Sequence, residues 1–303
     1  MSSLTDDQHI YSEFADVERQ TLIRQIVDDH PGLSHLSRSA FFFLWFSDIR
    51  QLRNLAAPCS DEDRDGRYWA LTGTNMCDLP DILPVSPSER SRSESPSLFE
   101  DAMTPESEYC QAASLQRDKY QCVVTKMGRP TLQSAYIFPS ISDNSWRLLQ
   151  VFFDREQLIA LNPEQDNCIT EQVSNYLTLS VLVQRFWHFA TCAFRPVSIN
   201  NENTEMEIAF HWLPITNHKR AEKVPIFQRL DLNQVQEWVE GPHDGIRLRH
   251  VETEQVIRSG FLFKVTTFDP ESQPLPSFAL LQLKWRLSRI AAMQGASGEG
   301  DRV

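Results

Sequence analysis

The sequence predicts an α+β protein, and three observations predict it. Two stretches near the N-terminus carry apolar residues at helical spacing. The middle of the chain mixes short strand-like runs with helical patterns in the order β-β-α-loop-α-β-β. The last third adds two strand-like runs and a closing helix. With 303 residues the chain suffices for one large domain or two small ones.

Residues 11–29 place Phe14, Val17, Leu22, Ile23, Ile26 and Val27 at helical intervals with acids between them. A second helix is predicted from Ser37 to Leu55. It contains AFFFLWF (40–46), the most hydrophobic run in the chain. Seven residues fall well short of the roughly 20 that span a bilayer, so the run reads as a buried helix face, with an interaction surface as the other reading. Residues 1–56 are therefore assigned to an N-terminal helical segment. Residues 57–114 read as a Pro-, Ser- and acid-rich linker, punctuated by Pro58, Pro80, Pro84, Pro87, Pro96 and Pro105. Its section 82–112 buries too little apolar surface to offset ordering and is predicted to be disordered. Ser95 before Pro96 is a candidate phosphorylation site, against the plainer reading of a solvated linker.

A core is assigned to 115–214. CVVT (122–125) and SAYIF (134–138) read as strands flanking a Gly128–Arg129–Pro130 turn. Residues 145–161 form a helical pattern. NYLTLS (175–180) leads into a helix over 181–189, and 191–196 and 205–214 read as strands. A C-terminal β/α extension, 215–295, is predicted to pack on the core. It comprises a helix at 232–240, strands at 246–252 and 256–267, and a helix over 276–293. In that last helix Leu280, Leu281, Leu283, Trp285, Leu287 and Ile290 would cover the sheet. Residues 296–303 read as a frayed tail.

The formal charge of −12 is uneven: −11 over residues 1–116, −2 over 117–215 and +1 over 216–303. Affinity for polyphosphate comes largely from Lys and Arg, so this distribution argues against nucleic acid as a partner. Arg247, Arg249 and Arg258 read as a solvated sheet face. Six cysteines make no CxxC pair, which reads as reduced, buried thiols. The polar, acidic N-terminus lacks the order of a signal or transit peptide. The expectation is a cytoplasmic protein, with the nucleus left open, and no membrane partner. No GxSxG, P-loop or GxGxxG motif occurs, so no cofactor is predicted.

RDKYQCVVTKMG (117–128), SAYIFPS (134–140) and NYLTLSVLVQRFWHFATCAFRP (175–196) carry a resemblance, in that order. They resemble the opening R-x-x-x-C-x-V-T-G, the AHIxP strand end and the closing N-x-x-x-L-x-x-x-x-H segment of HNH-nuclease-like domains. Lys126 stands where the glycine is usual. HWLP (211–214) and residues 257–287 are similar to the C-terminal extension of fungal members. The resemblance spans about two thirds of the chain and implies a degenerate HNH core of ββα type.

In the family the His of the first strand end is a general base, the Asn orients it and the second His binds a divalent metal. Here those positions hold Tyr136, Asn175 and Gln184, and His188 stands where an aspartate is expected. Imidazole titrates near neutrality, whereas tyrosine does not, and a glutamine carbonyl replaces imidazole poorly on a metal. No metal site is therefore predicted; Asp143 or His188 is the one route left to a rescued one. One reading of the remaining polar set is a satisfied remnant in a structural domain. The other makes Tyr136, Asn175, Gln184 and His188 a catalytic group in a small-molecule pocket walled by Trp146, Phe186 and Trp187. Whether the chain is an enzyme at all stays open at this point. The leading functional expectation is a metal-free cyclase or isomerase in fungal specialised metabolism, a setting supplied by the resemblance. The alternative is a non-catalytic protein that binds a partner through residues 11–55. A divergent endonuclease is third.

Overall fold

In six helices a Ser, Thr or Asp side chain accepts a hydrogen bond from the backbone N–H three residues on, satisfying a donor that the helix leaves unpaired. These helices are α1 (Val17–Asp29, capped by Asp16), α2 (Arg38–Phe46, Ser37), α5 (Pro105–Arg117, Thr104), α6 (Asp143–Phe152, Ser142), α8 (Val181–His188, Ser180) and α9 (Phe278–Met293, Ser277). The others are α3 (Ile49–Ala56), α4 (Asp61–Thr72) and α7 (Arg155–Leu158). The computed structural model describes residues 11–30, 33–58, 60–72, 104–161, 169–214, 222–227 and 247–294. The helix expected at 232–240, the tail 296–303, Ser95 and most of the stretch read as disordered lie outside them. With both helices and strands, the fold is α+β.

Among the described residues, three small antiparallel sheets complete the fold. Strand β1 (His35–Ser37) pairs with β6 (Lys223–Pro225), and β2 (Leu132–Tyr136) pairs with β3 (Tyr176–Ser180). The third sheet has the order β4 (Cys192–Ile199), β5 (Glu205–Trp212), β7 (Phe261–Thr266). One face of this sheet carries Phe194, Phe210 and Phe263, and Trp187 of α8 stacks on Phe194 at 4.8 Å. The alternate residues, Ala193, Arg195, Ala209 and His211, face the other way.

Helix α9 packs chiefly along β4 and α2. The expected contact with a sheet is made along β4. The helix is enclosed further still: every residue from Leu287 to Gln294 is buried, and so is every residue of α2, polar Arg38 and Ser39 included. The two helices form the centre of the core. This also bears on residues 11–55 as a partner-binding arm. Their large apolar side chains are used inside the fold, leaving Val17 as the exposed one among the described residues.

Burying α9 brings its cations inside. Arg289 makes two hydrogen bonds to Glu13, at 2.8 and 2.9 Å, and lies over the rings of Phe46 and Trp285. Arg286 pairs with Asp48. The Asp48 carboxylate also accepts from the Asp154 N–H at 2.7 Å, and its own N–H donates to the Phe152 carbonyl at 2.8 Å. This junction explains two departures from the expected helices. The run 37–55 breaks at Ser47–Asp48, and the run 145–161 breaks at Phe153–Asp154, because both chains turn there to present these groups to each other. Arg19, also buried, donates to the carbonyls of Trp45 and Ser47 at the end of α2.

Other expectations are corrected. The span 57–114 read as a linker holds α4 and the start of α5. Thr104, then Pro105, then Glu106 and Glu108 are helix-start signals, and Cys110, Ala113, Ser114 and Arg117 are the buried face that they begin. CVVT is a tight turn and not a strand. Cys122 N–H donates to Met127 carbonyl, and Lys126 N–H donates to Cys122 carbonyl, with Lys126 at φ 58°. That left-handed conformation favours glycine. The strand expected at 246–252 shrinks to one bridge between Arg249 and Val256.

Glu13→Gln removes the charge opposite Arg289 and is expected to destabilise the fold by about 3 kcal/mol, because it strands a buried cation. The double variant Glu13→Leu with Arg289→Met is expected to recover most of that loss. Urea titration of the three proteins checks both outcomes.

Candidate functional site

Strand β2, strand β3 and helix α8 form one unit. The strands pair from Leu132↔Ser180 to Tyr136↔Tyr176, and Ser180 then caps α8. The pair has two faces because side chains alternate along a strand. Ser134, Tyr136, Tyr176 and Thr178 face α5: the Ser134 and Ser114 hydroxyls lie 2.6 Å apart, and the Thr178 hydroxyl donates to the Ser114 carbonyl at 3.3 Å. Ala135, Leu177 and Leu179 face the other way, into the core cluster that holds Val183 and Trp187 of α8.

This arrangement divides the expected site residues. Tyr136 is 37% exposed and lies on the α5 face, its ring 6.4 Å from that of Tyr176. Gln184 and His188 sit one turn apart on α8, across the strand pair, with Gln184 half-buried and His188 exposed. They share a helix face as their spacing predicts. Trp187, between them, is buried against Phe194, and Phe186 meets Trp212 at 5.4 Å. Trp146 is buried on α6. All three aromatics therefore belong to the core. Among the described residues, no group of three His, Cys, Asp or Glu side chains is placed to hold a metal ion. No helix among them is long and apolar enough to cross a membrane.

Asn175 is completely buried, and its whole amide is used. Its Oδ1 accepts from Phe138 N–H at 3.0 Å, and its Nδ2 donates to the carbonyls of Phe138 (2.8 Å) and Ile169 (3.1 Å). Ile137 N–H also donates to the Asn175 carbonyl at 2.7 Å. Asn175 thus clasps the chain that leaves β2. It fixes Phe138, and with both N–H groups committed it has no donor left to orient a base.

Phe138 leads to a residue that the sequence reading passed over. The ammonium of Lys284, on α9, lies 5.4 Å from the ring centroid of Phe138 and 5.8 Å from that of Trp187. Burial holds its pKa down at about 8. No carboxylate pairs with it among the described residues. The available signal was a lysine set among Leu281, Leu283, Trp285 and Leu287 in the closing helix.

His211 is a second buried group. It is 6% exposed, its ring lies 5.0 Å from Trp285, and neither ring nitrogen has a hydrogen-bond partner among the described residues. Burial, and then the positive charges of Arg195 and Arg289, push its pKa down to about 3.

Two outcomes follow from these placements. Asn175→Ala leaves three backbone groups unsatisfied and is expected to cost about 3 kcal/mol, measured by urea unfolding. His211 stays neutral when folded, whereas the unfolded chain takes up a proton below about pH 6.5. Its contribution is therefore fully present above that pH. It is lost as pH falls toward 3, at about 1.4 kcal/mol per pH unit. His211→Phe is expected to shift the acid-unfolding midpoint to lower pH, and an unchanged midpoint would show that His211 is not held neutral. Comparison with protein-family models, curated proteins and solved structures finds no match.

Proposed function

We propose that this chain is a remodelled HNH-type protein that acts on a small organic molecule without metal-dependent nuclease chemistry. The reaction class is a cyclisation or isomerisation run by orientation and proton transfer, in a setting of fungal specialised metabolism. The observation that carries this reading is the use of Asn175. The residue stands immediately before β3, beside the end of β2, and its amide is spent on the backbone of Phe138 and Ile169. Tyr136 and Gln184, at the neighbouring signature positions, supply neither a neutral-pH base nor an imidazole ligand. The ββα unit then serves as a frame. The chemistry falls to side chains on α8 and around it, where His188 is solvent-accessible.

The test is genetic and chemical together. Deleting the gene in its native host should remove a product that the wild-type chain restores. His188→Ala is expected to lower that product by about 100-fold or more while leaving the melting temperature unchanged. Full restoration by both His188→Ala and Tyr136→Phe would sink the site assignment. Plasmid nicking that requires magnesium, manganese or zinc and disappears in Gln184→Ala would return the chain to the nucleases.

A further inference from the structure

We infer that Lys119, Tyr120, Arg129 and Phe268 form a docking surface for a short acidic segment of a partner protein, one that also carries apolar side chains. The inference stands apart from the small-molecule reading and does not rest on it. No acid stands between Asp118 and Asp143, and that stretch carries Lys119, Lys126 and Arg129. This is the reverse of the chain as a whole, whose net charge is −12.

The fold gathers this charge around exposed rings. The Arg129 guanidinium lies 4.4 Å over the ring of Tyr120, and the Lys119 ammonium lies 5.3 Å over that of Phe268. Phe268 is 90% exposed, and Tyr120 is exposed as well. Three exposed cations elsewhere have acids: Arg50 has Asp154, Arg53 has Glu18 and Lys264 has Glu205. Among the described residues, Lys119 and Arg129 have rings in that place. A ring face leaves their N–H donors free for an incoming anion.

The surface is also held in one shape. Lys119, Tyr120 and Lys126 stand at φ 56°, 53° and 58°, a left-handed conformation uncommon for side chains of this size. Backbone bonds fix them there. Lys119 N–H donates to the Gln116 carbonyl, Tyr120 N–H to that of Leu115 and Lys126 N–H to that of Cys122. Phe268 follows Thr267, whose N–H donates to the Thr204 carbonyl at 2.9 Å. Such backbone conformations collect at ligand clamps, and a preformed surface spares a partner the cost of ordering it.

The same features favour a peptide over nucleic acid. A nucleic-acid strand brings a charge with every nucleotide, and beyond these few cations its phosphates meet a chain of net charge −12. A short acidic segment places carboxylates only where the cations are, with Arg129 able to take one bidentately. Its apolar side chains cover Phe268. The turn that follows Val251, itself bonded through its N–H to the Thr125 carbonyl, carries exposed Glu252 and Glu254 and bounds the surface on that side.

Fluorescence anisotropy with the full chain and a labelled peptide of Glu–Glu–Phe repeats tests the assignment. Binding is expected, and it should weaken at least about tenfold in the double variant Lys119→Glu with Arg129→Glu, and also on raising the salt. Phe268→Ser is expected to weaken it about fivefold, and a Glu–Glu–Ser peptide should bind the wild-type chain as poorly. All three residues are exposed, so the melting temperatures should match that of the wild type. No binding of the Glu–Glu–Phe peptide, or binding indifferent to these substitutions, overturns the inference. Equal binding of a Lys–Lys–Phe peptide overturns it by removing the role of charge. Tighter binding of an oligothymidylate of the same net charge overturns it in favour of nucleic acid.

Discussion

Helix α9 carries Lys284, Arg286 and Arg289 into the interior, and a cation taken out of water has to be compensated where it lands. Much of the architecture follows from that requirement. Glu13, in the turn before α1, reaches Arg289 across 276 positions of sequence. Asp48 reaches Arg286, and to do so it interrupts a run that would otherwise continue as one helix. Asp154 breaks the other run at the same junction, by donating its N–H to Asp48. The N-terminal helices, α6–α7 and the C-terminal helix are therefore joined through two charged contacts as well as through the Phe and Leu side chains around them.

A second buried pair organises the β2–β3 unit. Arg117 and Asp118 are both fully inaccessible, and the guanidinium also donates to the carbonyls of Tyr176 and Pro274. Asp118 accepts from Thr178 N–H at 2.8 Å. The end of α5, strand β3 and the segment before α9 meet at this one point. With Asn175 holding the exit of β2, the strand pair is fixed at that end and at its middle by side chains that bond to backbone. Such contacts locate a main chain closely, and here they set the wall beside Lys284.

The elements with periodic patterns and capping residues were legible in the sequence. Helix α9 and strands β2, β4 and β5 follow from apolar spacing and from β-branched and aromatic runs, whereas strand β3 and its pairing with β2 were not among the expectations. Local reading failed where a distant partner decides the outcome. Nothing near Asp48 says that it will meet Arg286. The Pro and Ser content around α5 masked a helix whose buried face needs β3 to exist. CVVT has strand composition, yet Lys126 turns the chain so that Val123 can bond to Thr178. For the site, the positions of Gln184 and His188 on one helix face were readable. The division of the set across two faces of the strand pair was not, because α5 was not expected there. Lys284 was hidden for a related reason: its flanks are apolar, and only the folded interior reveals which cation is left without an acid.

The enclosure of α2 by α9 has a consequence for how the chain comes to be made. Synthesis runs from the N-terminus at about 5–20 residues per second. The run AFFFLWF therefore leaves the ribosome some tens of seconds before the helix that covers it. During that interval α2 has only part of its native surroundings to bury against, Tyr11 and Phe14 first and Phe152 and Phe153 later, and the contacts with α9 that complete its enclosure are among the longest-range in the fold. The nascent chain therefore depends on being held apart from its neighbours until its last helix arrives.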